Sequence, residues 1–335
     1  MKEQITIKDI SQKAGVAIST VSRVLNGKDR VSQKTREKVQ KIIDEYGYVP
    51  SAAAVSVVRK KTNMVGVIIP EIRNPFYSAI IHGVDMVCRQ KGYNVCMFST
   101  GDEAATEEEL VKTVVSPLVD GIIAVTATDG AVYSDRRKPV VFVDRQIDSS
   151  RFDNVIIDNR GGMYAACRHL IERGHRRIAY ISGPMKYCNG YGRMEGFTSC
   201  MRAHELPVDE RLVLHGDWFE QNGERAARQL LQEREQTGVT AILCSNNLIC
   251  KGCYTALAEA GVQVGEELSL VGFDEHDFMH FATPKITYVA RPTYEMGQLA
   301  GELLIQKMES GQQYLGEERV LPVELVEQQS VKELR

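Results

Sequence analysis

From Met64 onward, short runs of β-branched and apolar residues alternate with amphipathic stretches of helical period, and this alternation limits the fold more than any other feature of the chain. The runs are MVGVIIP (64–70), NVCMFS (94–99), GIIAV (121–125), VVFVD (140–144), NVIID (154–158), IAYISG (178–183), LVLHGD (212–217), AILCSN (241–246), LSLVGFD (268–274) and ITYVARP (286–292). Between most of them lie helical stretches such as GGMYAACRHLIERG (161–174) and GERAARQLLQE (223–233). Strands that alternate with helices pair in parallel, because each crossover carries a helix back over the sheet, and the helices cover both faces. Ten strands are too many for one small sheet. Two doubly wound parallel sheets facing a cleft are the economical α/β solution.

The first fifty residues follow another pattern. Thr6 precedes IKDISQKAG (7–15), with Ile7, Ile10 and Ala14 at helical spacing and Gly15 as a stop. A second helix follows in VAISTVSRVLNG (16–27), its inward stripe formed by Val21, Val24 and Leu25. Ser32 then caps QKTREKVQKIIDEYG (33–47), with Val39, Ile42 and Ile43 inward and Gly47 at the end. Three short helices, the first two joined by a tight turn, make an all-α helix-turn-helix head. After it, PSAAAVSVVRKKTN (50–63) reads as a linker able to become a helix when supported.

Charge separates the two parts. Through Lys61 there are 13 Lys and Arg against 6 Asp and Glu, a net +7, and the remainder holds 28 against 38, a net −10. A basic head on an acidic body points to a polyanionic partner for the head alone. The leading segment MKEQITIKDI has no apolar signal region and no apolar run approaches a membrane span, so the expected location is the cytoplasm, with no membrane partner. The eight cysteines lie mostly inside apolar patterns and are expected to be reduced core thiols; Cys250 and Cys253 form one CxxC without a second pair or a nearby His, so no metal and no cofactor are predicted.

In a helix-turn-helix the second helix enters the major groove and its first residues meet base edges. Ile18 then offers a contact to a thymine methyl, Ser19 a tolerant hydrogen bond, and Arg23 a fork for guanine, while Thr20, Ser22 and Asn26 suit phosphates or further groove contacts. The residues alone leave open a polar face of a protein-docking bundle. The segments TIKDISQKAGVAISTVSRVLNG (6–27) and VSQKTREKVQKIIDEYGYVPSAAA (31–54) closely resemble the head of the lactose-repressor/galactose-repressor (LacI/GalR) family of bacterial transcription regulators, and the likeness extends through the chain. The resemblance implies double-stranded operator DNA as partner, with Thr6, Val31 and Ser51 completing the DNA-facing set. It also implies a hinge helix after Tyr48 and Pro50 that wedges a leucine into the minor groove. Here that position is Val57, the usual nearby arginine is Val55, and Ala17 replaces the customary serine cap of the recognition helix, at a local cost of roughly 0.5–2 kcal/mol.

A cleft between doubly wound lobes surrounds a small polar molecule with strand ends and helix N-termini. After the first strand, EIRNPFY (71–77) offers Asn74 as a cap and Phe76 as a stacking face. Asp144 and Arg145 end a strand as an acceptor and donor able to chelate adjacent hydroxyls, and Arg193, Trp218, Asn246 and Asp274 sit at further strand exits or helix starts. These positions resemble the sugar site shared by the family and the periplasmic ribose-binding protein, which implies an aldose, among aldoses a pentose. Arg291 in VARP stands where the family usually has glutamine, and Asn247 where it usually has aspartate. Both changes add positive charge, so either Arg291 grips an anionic group on the ligand, as in a sugar phosphate, or it forms a salt bridge between the lobes.

The resemblance implies a periplasmic-binding-protein-like body with a helix-turn-helix domain at 1–50, a hinge at 51–62 and an effector-binding and dimerisation domain at 63–335, its N-lobe at 63–160 and 292–323 and its C-lobe at 161–291 and 324–335. A homodimer reading a pseudo-palindrome is expected, since LPVELVEQQSVKELR (321–335) adds no heptad tail for a tetramer. GYGRMEG (190–196) has the wrong glycine spacing for a dinucleotide loop, which leaves the enzyme reading without a motif. The competing expectation is a family member that answers to a protein or phosphoprotein corepressor instead of a free sugar.

Overall fold

The computed structural model describes residues 5–25, 27, 31–48, 61–134, 138–310 and 316–334. They divide into two units, Met1–Thr62 and Asn63–Arg335.

Among the described residues the first unit shows three helices, α1 (Ile7–Ala14), α2 (Ile18–Leu25) and α3 (Gln33–Tyr46). Thr6 caps α1 in a reciprocal box: its hydroxyl accepts from the Asp9 N–H, and the Asp9 carboxylate accepts from the Thr6 N–H at 2.8 Å. Gly15, at φ 63°, ends α1, and the Ser11 hydroxyl donates to the Val16 carbonyl at 2.6 Å, which pins the turn into α2. The Ala17 carbonyl receives the N–H groups of Thr20 and Val21, so a methyl occupies the cap position of α2. Ile10, Ala14, Val21, Val24, Val39 and Ile43 form the buried core of this unit.

Among its described residues the second unit contains two six-stranded sheets. The strands are β1 (Met64–Ile69), β2 (Asn94–Ser99), β3 (Gly121–Ala124), β4 (Val140–Val143), β5 (Asp153–Ile157), β6 (Ile178–Ser182), β7 (Val213–His215), β8 (Ala241–Cys244), β9 (Ser269–Phe273), β10 (Thr287–Ala290), β11 (Glu318–Leu321) and β12 (Glu324–Val326). One sheet has the order β11-β5-β4-β3-β1-β2 with every pair parallel. The other has the order β12-β10-β9-β8-β6-β7, parallel except for β12 against β10. In each sheet the strand order reverses beside the strand that comes first in the sequence, between β1 and β3 and between β6 and β8. The chain leaves such a switch point in opposite directions and opens a crevice at the strands' carboxyl ends. Ten of the twelve strands coincide with the apolar runs of the sequence, whereas β11 and β12 do not follow from it.

The principal body helices are α4 (Pro75–Gln90), α5 (Asn159–Glu172), α6 (Cys188–Ala203), α7 (Glu220–Gln232), α8 (Asn247–Glu259) and α9 (Thr293–Ser310). α4 and α9 pack backbone to backbone at Gly83 and Gly297, where a Cβ would overlap the Tyr294 or Ile80 carbonyl; α7 and α8 repeat the device at Gly223 and Gly252. All eight cysteines are free thiols, with Cys250 and Cys253 buried on α8. Among the described residues no helix is long and apolar enough to cross a membrane, and no group of side chains is arranged to hold a metal ion.

Candidate DNA-reading surface and ligand pocket

On α2 the apolar stripe is spent on the head's core, which leaves Ile18, Ser19 and Arg23 exposed and Thr20 and Ser22 half-buried on the outer side. Ile18, at the start of α2, is 47% exposed, so its apolar side chain is available for a contact on the outer side of the helix. The Thr6 hydroxyl is already bonded to the Asp9 carboxylate at 2.6 Å, so a phosphate would have to share it. Val31 is half-buried and packs against the head's core, which makes it a packing residue first. Asn26, Ser51 and Val57 lie outside the described residues, as do Pro50 and Val55.

In the body, Asn74, Phe76, Asp144, Arg145, Arg193, Trp218, Asn246, Asp274 and Arg291 line one pocket, together with Tyr77 and Asn189. They come from both sheets: Asn74 and Phe76 follow β1 and Asp144 and Arg145 follow β4, while Trp218, Asn246, Asp274 and Arg291 follow β7, β8, β9 and β10. Asn74 caps α4 by accepting from the Phe76 N–H at 3.1 Å, and Pro75 occupies the first helical turn, where it gives up no helix bond. Asn246 caps α8 in the same way, accepting from the Ile249 N–H at 2.8 Å, and donates to the Trp218 carbonyl at 3.0 Å. The indole lies against Gly183, where a Cβ would overlap its ring, and its buried Nε1 has no hydrogen-bond partner among the described residues.

Two carboxylates occupy the centre. Asp144 and Asp274 adopt left-handed backbone, φ 66° and 70°, which short acidic side chains tolerate better than most and which turns each carboxylate inward from its strand end. Asp144 accepts from Asn189 at 2.8 Å and from Arg291 Nη1 at 2.5 Å. Asp274 pairs with Arg291 Nε and lies 3.7 Å from Arg193 Nη1. Burial raises the Asp274 pKa, against the opposing pull of Arg291 and Arg193, and burial lowers the Arg193 pKa. Arg193 is 2% exposed, donates to the Asn159 side chain at 2.8 Å and the Ser245 carbonyl at 2.5 Å, and lies over the Phe273 ring at 4.0 Å.

Two details add to the sequence expectation. Arg145 lines the pocket beside Asp144 and is also held from within the protein: its Nη1 donates to Asp102 at 2.5 Å and to the Thr126 carbonyl at 3.0 Å, and its guanidinium lies 3.6 Å over the Tyr187 ring. Phe76 faces a guanidinium, since Arg291 lies 3.7 Å over its ring. Of the two roles left open for Arg291, the structure shows the bridge, from Asp274 beside one sheet to Asp144 beside the other. Asn247 bridges as well, donating to Asn74 at 3.0 Å. Tyr77 and Asn189 were not singled out from the sequence. Asn189 precedes Arg193 by four residues on α6, a spacing that puts both on one face and would have marked it.

Residues 6–51 match the model of bacterial regulatory proteins of the lacI family, and residues 167–331 match that of a periplasmic binding protein-like domain. The chain is 31% identical over 333 residues to the HTH-type transcriptional repressor CytR of Escherichia coli strain K12, covering 98% of this chain and 97% of that protein. Among solved structures, a transcriptional regulator CelR–cellobiose complex aligns with a TM-score of 0.73 at 30% identity, covering 97% of this chain and 99% of the other. The lac repressor dimer bound to operator and the anti-inducer ONPF aligns with a TM-score of 0.81 at 25% identity, covering 98% and 100%.

Proposed function

The chain belongs to the lacI family of bacterial regulatory proteins, and from that premise we propose that it is a cytoplasmic repressor that binds operator DNA through its head and is tuned by a small ligand in its body. The observation that carries the ligand half is the convergence of nine sequence-selected residues, from the ends of both sheets, on one pocket. Its chemistry suits a polyhydroxy molecule: Asp144 and Asp274 accept from hydroxyls, Asn74 and Asn246 offer amides, and Phe76 and Trp218 supply faces for a ring. We assign the effector to small sugars or their derivatives, a pentose or an anionic sugar such as a sugar phosphate. The CelR relative held cellobiose in its complex, which supports the class.

The DNA half rests on α2, with Ile18, Ser19 and Arg23 exposed over a core that fixes the helix in place. Residues 1–50 act as the reading head, 51–62 as the hinge and 63–335 as the effector and dimerisation domain. Two heads of a homodimer read a pseudo-palindrome, and ligand binding between the lobes changes operator affinity by linkage. No catalytic step is assigned. Selection of duplexes from a random pool by the purified chain tests the DNA half: enrichment of a two-fold sequence supports it, and enrichment of nothing beyond salt-dependent bulk binding overturns it.

A further inference from the structure

The pocket already holds something. The Arg291 guanidinium lies 3.7 Å over the Phe76 ring, where a sugar ring would stack. Its Nη1 donates to Asp144 at 2.5 Å and its Nε pairs with Asp274, so both carboxylates suited to sugar hydroxyls are engaged. The side chain is 3% exposed, and it occupies much of the space among the lining residues, leaving a cavity of about 30 Å³. Asp144 follows β4 of one sheet, whereas Asp274 and Arg291 follow β9 and β10 of the other, so the guanidinium ties the lobes together. Direct bonds from Asn189 to Asp144, Asn247 to Asn74 and Tyr187 to Asp102 reinforce the closure.

We propose that Arg291 is a tethered occupant of the effector pocket, one that holds the lobes closed and excludes neutral sugars. The inference rests on reading this pocket as the effector site. A neutral sugar has to displace a guanidinium that is part of the same chain and is held by two carboxylates, so its apparent affinity falls by the fraction of molecules in which the guanidinium is out. Once displaced, the cation has lost both carboxylate partners. A ligand bearing an anionic group supplies a replacement, since guanidinium grips phosphate and carboxylate through two parallel bonds, and a neutral sugar supplies none. The occupant therefore selects for anionic sugars.

Trp218, the only tryptophan of the chain, lines the pocket and reports on it without any ligand. In the full-length protein, Arg291→Gln should raise acrylamide quenching of Trp218 by about threefold as the cleft opens, with far-UV circular dichroism unchanged; Arg291→Lys, whose single ammonium cannot fork two carboxylates, should fall between. By calorimetry the wild type should prefer ribose 5-phosphate to ribose, and Arg291→Gln should bind ribose about tenfold more tightly than the wild type does and lose the preference. Unchanged quenching in Arg291→Gln overturns the proposal, as does wild-type binding of ribose equal to that of the variant. If quenching rises but neither protein binds either sugar, the self-occupied pocket stands and the sugar-effector reading fails.

Discussion

Asp274→Asn removes one charge from the middle of the pocket while keeping the shape of the side chain. Asp274 is 3% exposed, pairs with Arg291 and lies 3.7 Å from Arg193. Without its charge, two buried guanidiniums face a single carboxylate, Asp144. Breaking a buried ion pair by neutralising one partner costs about 3–5 kcal/mol, because the other charge stays buried. Burial already raises the Asp274 pKa, so part of the pairing is offset by desolvation and about 3 kcal/mol is expected. Asn tolerates the left-handed backbone at φ 70°, whereas Asp274→Ala adds about 1–2 kcal/mol of strain. Urea unfolding followed by Trp218 fluorescence measures both, and calorimetry should show the Asn variant melting roughly 6–12 °C lower. Operator binding by the separately folded head should survive while the effector response is lost. An unchanged midpoint for Asp274→Asn refutes the buried-charge reasoning, and equal losses for Asn and Ala refute the backbone strain. A retained effector response removes Asp274 from the ligand site.

Arg23→Ala should cost about 1–3 kcal/mol in operator binding and relax base preference at one position, read by competition among single-base operator variants; uniform weakening with a shallower salt slope would show a phosphate contact instead. Val21→Ala, at a fully buried position of the small head core, should cost about 1–3 kcal/mol and abolish operator binding while the thermal transition of the body stays in place. His175 is buried, with its ring nitrogens near the Thr240 and Ser269 hydroxyls at 2.9 and 3.0 Å, and burial lowers its pKa to about 4. The unfolded chain then binds the proton more readily than the folded one. The stability is whole above pH 6.5 and is lost as pH falls from 6.5 toward 4, by on the order of 3 kcal/mol. Urea midpoints measured across that range should decline, and His175→Gln should flatten the decline.

The residues most legible in the sequence are those whose structural reason is local. Thr6, Ser32, Asn74 and Asn246 cap helices through bonds made within three residues of themselves, so the sequence alone marks each start. The strands buried on both faces read as apolar runs, and eight of the ten, all but the edge strands β2 and β7, lie in the interior of their sheets. β11 and β12 escaped because ERVL and ELV are short, charged and partly exposed; only pairing with β5 and β10 makes them strands. Pocket residues were legible as strand ends, but their partners were not. The engagement of Arg145 with Asp102 spans 43 residues and the bond from Asn189 to Asp144 spans 45, distances over which no spacing rule operates. Arg291 carries the same lesson, since a cation at a strand end looks alike whether it awaits a ligand or already bridges two carboxylates.

In the proposed mechanism the ligand pocket of the acidic body controls the grip of the basic head on DNA. The direct measurement is the affinity of the full chain for its selected palindromic duplex at physiological ionic strength, with and without each of a panel of pentoses and pentose phosphates, together with the affinity for the active sugar with and without the duplex. At least one compound should shift operator affinity, the duplex should shift that compound's affinity by the same factor, and Asp274→Asn should remove both shifts. Operator affinity that stays constant across the whole panel, or a shift that survives in Asp274→Asn, would contradict this mechanism.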